Sequence, residues 1–173
     1  MKKLLTITAV AMLCCIFAEN TQAQAFQKGT KNLNVGLGLG YGVGLNASVD
    51  VGIHELISVG AIGAFSSRNY SYYLADNFRV TYIAIGARGA VHIGKFVNEA
   101  LSIDDDKFDP YIGLSGGFRM VKYNDAYSTY YGGTSAGIFF GGYAGARYYF
   151  KDKLGVYAEA GFPYTSLGIT LKF

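Results

Sequence analysis

The last eight residues, Ser166-Leu167-Gly168-Ile169-Thr170-Leu171-Lys172-Phe173, alternate without a fault. Leu167, Ile169, Leu171 and Phe173 share one side; Ser166, Gly168, Thr170 and Lys172 share the other. A period of two is that of a β-strand, here with one apolar face. In water, an apolar strand that finishes on an aromatic is a template for aggregation. In lipid, where every backbone polar group has to be satisfied within the protein, the same strand suits a closed barrel. The competing reading is the last strand of a soluble β-protein, and the rest of the chain separates the two.

The alternation recurs. Leu33, Val35, Leu37, Leu39 and Tyr41 face one way, Asn34, Gly36, Gly38 and Gly40 the other, and the parity continues from Val43 to Ile53. That run is too long for one strand, so a tight turn is expected near Gly40 to Gly44. His54-Glu55 reads as a short turn, Leu56 to Ser66 as a third strand, Ser67 to Asn77 as a polar, tyrosine-rich loop, and Arg79 to Ile93 as a fourth strand. Gly94 to Asp109 breaks the pattern. Phe96, Val97, Ala100 and Leu101 have helical spacing and Asp104-Asp105-Asp106 follows, which predicts a short amphipathic helix and a solvated turn. The glycine and terminal glutamate of a calcium loop are missing there. Four more strands follow, from Asp109-Pro110 to Lys122, Ser135 to Phe150, Leu154 to Phe162 and Thr165 to Phe173. A second tyrosine-rich loop, Tyr123 to Thr134, and short turns at Lys151-Asp152-Lys153 and Pro163-Tyr164 join them. The expected fold is all-β, an antiparallel up-and-down eight-stranded barrel. Most strands reach the roughly 9–11 residues that cross a bilayer when tilted.

The first 25 residues read differently. Lys2 and Lys3 precede an apolar run from Leu4 to Ala18, too short to span a bilayer comfortably, and small residues follow at Ala23 and Ala25. Residues 1–25 are expected to be a secretory signal peptide, cleaved after Ala23 or Ala25, and residues 26–173 the barrel domain. Both cysteines, Cys14 and Cys15, lie in the apolar run, so the exported chain is expected to hold no thiol or disulfide. A formal charge of +3 is too small to argue for nucleic acid.

Alternation alone does not tell a membrane barrel from a lipocalin-like soluble one. The content of the polar face does. Lys28, Lys31, Lys95, Lys107, Lys151 and Lys153 sit at a terminus or turn, whereas a solvated outer face would carry lysines along its strands. The polar face holds many of the 24 glycines and a few charges: Asp50, Arg88, Arg119, Arg147 and Glu159. Charges in a crowded interior have to pair, so these five are expected to form a lumenal ion-pair network. If the turn at Lys151 sets Phe150 opposite Val156, Arg147 faces Glu159 directly across the hairpin.

The terminal stretch also resembles the C-terminal β-signal of bacterial outer-membrane barrels, with Ser166, Gly168, Leu171 and Phe173 in its polar, glycine, apolar and terminal aromatic places. Gly145-Ala146-Arg147-Tyr148-Tyr149-Phe150 before a tight turn and Glu159-Ala160-Gly161-Phe162 after it are similar to the small eight-stranded outer-membrane barrels of the OmpA-like and opacity type. The resemblance runs from about Lys31 to Phe173. It implies the cell outer membrane, contact with membrane lipid and lipopolysaccharide, and insertion by the barrel-assembly machinery. With both termini in the periplasm, the tyrosine-rich loops face outward, while Gly94 to Asp109 becomes an unusually long periplasmic connection.

Some small barrels modify lipids, so catalytic residues need a search. Only His54 and His92 are present. No serine lies near His92 on its own strand, and both histidines are expected to be structural. No catalytic, cofactor-binding or metal-binding residue is expected. Eight strands enclose an interior that side chains fill, which leaves at most a narrow porin-like channel. What remains is a structural or surface-interaction role. Tyr70, Tyr72, Tyr73, Tyr127, Tyr130 and Tyr131 are its candidate contacts, as adaptable recognition groups or as rings resting at the lipopolysaccharide headgroups.

Overall fold

The structure, a computed structural model, describes residues 25–40, 42–72, 75–101, 106–124, 133–162 and 164–173. The segment read as a signal peptide lies outside these, apart from Ala25. Eight strands follow in order: β1 Lys31–Leu39, β2 Val43–His54, β3 Ile57–Tyr72, β4 Ala75–His92, β5 Phe108–Asn124, β6 Thr134–Lys151, β7 Leu154–Gly161 and β8 Thr165–Lys172. Each pairs antiparallel with the next, and β8 returns to β1, closing the barrel. One helix, α1 (Gly94–Leu101), stands between β4 and β5, where the helical spacing of Phe96, Val97 and Ala100 placed it.

The barrel is inside out relative to a soluble one. Leu114, Phe118 and Phe140 point outward and are 73%, 68% and 79% exposed. Asn32, Asn34, Asp50 and Arg147 point into the lumen and are buried. An apolar exterior that wraps the whole wall is far beyond the patches a soluble monomer tolerates. It is stable where the surroundings are themselves apolar.

The closing seam depends on a pair of glycines. Gly36 of β1 lies opposite Gly168 of β8. A Cβ on Gly168 would sit 2.2 Å from the Val35 carbonyl oxygen, 2.4 Å from Gly36 Cα and 2.8 Å from the Tyr157 ring. The ring of Tyr157 occupies the space the two absent side chains leave, and its hydroxyl donates to Asn46 Oδ1 at 2.8 Å. The glycine of the terminal signal is therefore also a packing requirement of the finished wall.

Two sequence expectations are corrected. The segment Ser67 to Asn77 is not a loop: β3 runs on to Tyr72 and β4 begins at Ala75, with Ser67 opposite Thr81, Asn69 opposite Arg79 and a bulge between Tyr70 and Tyr72. Arg79 Nε donates to Asn69 Oδ1 at 2.9 Å across the ladder. Tyrosine and threonine favour strands, and Ser67 to Tyr72 is polar at both parities, so the strand shows no apolar alternation there. The second correction is a register. A bulge between Tyr149 and Lys151 shifts the β6–β7 hairpin by two residues, so Val156 pairs with Tyr148 rather than Phe150. Arg147 then lies opposite Tyr157, and Glu159 opposite Gly145.

The strands are unequal. β3, β4, β5 and β6 have 16, 18, 17 and 18 residues, whereas β1, β2, β7 and β8 have 9, 12, 8 and 8. β2 accompanies β3 only as far as Ser66, and β7 accompanies β6 only as far as Tyr143. Past those points β3 to β6 stand above the closed wall as a four-stranded sheet. At the opposite end, which carries Lys31 and Phe173, residues 25–30 fold over the barrel mouth. Gly29 N–H donates to the Gly52 carbonyl and Gly52 N–H to the Thr30 carbonyl, both at 2.8 Å. Phe26 lies flat on the His92 ring, with centroids 3.4 Å apart.

Candidate functional site

The lumen is filled by charge. Arg88 of β4 meets Asp50 Oδ1 through Nε at 3.0 Å and Glu159 of β7 through Nη1 and Nη2 at 3.2 and 2.5 Å. Asp50 and Arg88 share a row across β3, with Gly60 between them, and a Cβ on Gly60 would sit 2.8 Å from Asp50 Oδ1. Arg147 of β6 binds Asp50 through Nη2 and Asp109 through Nη1, the latter at 3.0 Å. Its Nε donates to Asn34 Oδ1 at 3.2 Å. Two tyrosines complete the packing. The Arg88 guanidinium lies 4.2 Å from the centre of the Tyr143 ring and that of Arg147 lies 4.4 Å from Tyr111, whose hydroxyl donates to Glu159 Oε1 at 2.8 Å. Each guanidinium thus has two acidic partners and an aromatic face, the arrangement a buried cation needs when water is excluded.

The structure brings together four of the five expected network residues, Asp50, Arg88, Arg147 and Glu159, but not in the expected pairs. Arg147 does not pair with Glu159, because the hairpin bulge moves Glu159 to the level of Gly145, within reach of Arg88. Arg119 stands outside the cluster. It is half-buried further along β5 and lines a cavity of about 460 Å³ at the projecting sheet, together with Tyr70, Val80, Val121, Tyr123 and Ser135. Asp109, Tyr111, Tyr143, Asn34 and Ser48 were missed. The inward parity of β5, followed two and four residues back from Gly113, reaches Tyr111 and Asp109 and could have supplied both.

A second missed feature is a line of Ser58, His92 and Asp109. Ser58 Oγ lies 2.9 Å from His92 Nε2, and His92 Nδ1 lies 2.7 Å from Asp109 Oδ1. Ser58 comes from the neighbouring strand β3, so a search along the histidine's own strand does not find it. The order is that of a nucleophilic triad, yet the geometry around it is structural. Ser58 is 1% exposed, Arg147 holds the other oxygen of Asp109, and the Phe26 ring covers the imidazole. Among the described residues, no group of three or more His, Cys, Asp or Glu side chains is arranged to hold a metal.

Of the candidate surface contacts, Tyr70 is half-buried on the inner face of the projecting sheet, with the Arg68 guanidinium 5.0 Å from its ring centre. Tyr72 belongs to the end of β3. Tyr73, Tyr127, Tyr130 and Tyr131 lie outside the described residues. At the seam, Ser166 is buried in the lumen, Leu171 pairs with Leu33 and Leu154, and Phe173 N–H donates to the Lys31 carbonyl at 3.0 Å.

A closed antiparallel barrel of eight strands, apolar outside and ionic inside, is the architecture of the small outer-membrane barrels. Solved structures with this fold include the attachment invasion locus protein Ail of Yersinia pestis, crystallised with the heparin analogue sucrose octasulfate. It is similar with a TM-score of 0.55 and 12% identity, over 85% of this chain and 100% of that one. The outer membrane protein OprG from Pseudomonas aeruginosa is similar with a TM-score of 0.59 and 11% identity, over 88% of this chain and 99% of that one. No protein-family model and no curated protein sequence matches the chain.

Proposed function

We propose that this protein resides in the outer membrane and acts, without catalysis, as a surface-recognition element, with the sheet of β3 to β6 as its contact surface. The observation that carries this reading is the inequality of the strands: four of them continue well past the closed wall. A strand that leaves the membrane loses the lipid that favoured its apolar face, so its extension serves something other than spanning. The ionic filling of the lumen argues against a channel, and the buried state of Ser58 against a lipid-modifying enzyme.

The chemistry of the sheet indicates the partner. Arg68, Arg79, Arg119 and Lys122 lie on its strands, against one acidic residue, Asp76. Arg119 and Tyr70 share a cavity on the inner face. Cationic groups beside aromatic rings suit an anionic polymer, and Ail was solved with an anionic heparin analogue. The test is retention of cells displaying the protein on a heparin-coated surface, compared with cells carrying an empty vector. Retention is expected to exceed the vector control, to fall as salt rises, and to weaken in the Arg68→Ala/Arg119→Ala double variant. Equal retention with and without the protein at low salt overturns the anionic-partner reading.

A further inference from the structure

At the terminus end, α1 has two sides. Lys95 and Asn98 line a cavity of about 240 Å³ at the barrel mouth, and Lys95 Nζ lies 3.3 Å from Glu55 Oε2 of the β2–β3 turn. Those two residues fix the direction in which the helix faces the barrel axis. Phe96 and Ala100, four apart, lie about 150° round the helix from them at 3.6 residues per turn. That side therefore points away from the mouth. Both residues are exposed, Phe96 to 57%.

The exterior of the wall is itself apolar. Val91 of β4 and Ile112 of β5 face each other across the ladder and are 42% and 52% exposed. The helix starts two residues after β4 ends, with Val97 N–H donating to the Ile93 carbonyl at 3.0 Å. Phe96 thus follows the last residue of β4 by only four positions, and like Val91 and Ile112 it is an exposed apolar side chain. Lys95 and Glu99 flank it with charge, the composition of a helix lying in a headgroup layer.

We infer that α1 is an interfacial foot: Phe96 and Ala100 insert into the periplasmic leaflet of the bilayer that surrounds the barrel. The occupant of this face is phospholipid, because the face continues the surface that already meets lipid. The inference rests on the reading that the barrel spans a membrane. It assigns to the long connection between β4 and β5 a task that a tight turn cannot perform: it holds the wall at a fixed depth and tilt.

The chain contains no tryptophan, so Phe96→Trp introduces a single indole, which is excited at wavelengths the 15 tyrosines do not absorb. The variant is reconstituted into vesicles of phosphatidylcholine brominated near the headgroup, and its quenching is compared with that by aqueous iodide. Ile112→Trp serves as the wall reference and Lys107→Trp, in the exposed turn, as the aqueous reference. The inference expects Phe96→Trp to emit to the blue of Lys107→Trp, to be quenched by the brominated lipid and to be shielded from iodide. Ala100→Trp, on the same side one turn on, is expected to behave alike and stands in if Phe96→Trp does not fold to a heat-modifiable barrel. Quenching of both by iodide but not by lipid, while Ile112→Trp responds to lipid, overturns the foot. If Ile112→Trp also fails to respond, the membrane reading itself falls.

Discussion

Arg88 and Glu159 are 71 residues apart in the chain and meet inside the barrel through both terminal nitrogens of the guanidinium, at 3.2 and 2.5 Å. Such a forked contact between buried ions stabilises little by its mere presence but is costly to break on one side. Glu159→Gln is expected to lower unfolding stability by about 3–5 kcal/mol, and the combined replacement of both residues by apolar ones of similar volume by less. Denaturant titration of the vesicle-embedded protein measures both. A double-mutant cycle should find coupling between Arg88 and Glu159 and far less between Arg147 and Glu159. The reverse ranking contradicts the register.

Arg147 neutralises Asp50 and Asp109 together. Arg147→Met is therefore expected to destabilise more than Glu159→Gln, since it takes the shared cation from two carboxylates, leaving Asp50 to Arg88 and Asp109 to His92, whereas Glu159→Gln takes one carboxylate from a guanidinium that keeps Asp50. The same titration ranks the two variants, and a milder effect for Arg147→Met means that water reaches this part of the lumen.

The seam supplies a steric test. Gly168→Ala brings a Cβ to 2.2 Å from a backbone oxygen, a contact that rotation of a side chain does not relieve. A penalty of about 1–3 kcal/mol is expected, with a reduced fraction of heat-modifiable barrel on a gel. Gly137→Ala, where an added Cβ meets nothing within 4 Å, is the matched control and should behave as wild type.

Planar-bilayer recording tests the filled lumen. The wild-type protein is expected to give small or no steady single-channel currents, since two arginines, three carboxylates and two tyrosines occupy the cross-section. Large, stable currents would show that the cluster opens in the membrane and would favour the channel reading.

Deletion of Phe173 separates assembly from stability. The residue is 42% exposed and is the last of the seam. If it acts as an insertion signal, deletion lowers the amount of folded barrel in cells, whereas protein refolded from denaturant keeps close to wild-type stability. Normal cellular levels argue against the signal.

The wall was legible in the sequence because a barrel face repeats every two residues, and Leu33 to Leu39 or Ile169 to Phe173 show that period directly. The inward parity of Asp50, Arg88, Arg147 and Glu159 came from the same period. Two things were hidden. The bulge at the Lys151 turn leaves no mark in the alternation, so the partner of Arg147 was misplaced although its face was right. The strand from Ser67 to Tyr72 carries polar residues at both parities, and a pattern that reports apolar surroundings is silent there. Contacts between neighbouring strands, such as His92 with Ser58, depend on how those strands slide past each other, which no single strand encodes.

The ionic cluster also sets an order of events. Its members come from β2, β4, β5, β6 and β7, and Asp50 reaches an arginine 97 residues downstream. Neither carboxylate nor guanidinium can wait in hydrocarbon for its partner. The interior must therefore stay hydrated while the wall is open, and the last water can leave only after the seam between the first and last strands has shut. In a membrane, drying would come last in the construction of such a barrel, and a wall that shut around unmatched charges would seal in the water they hold.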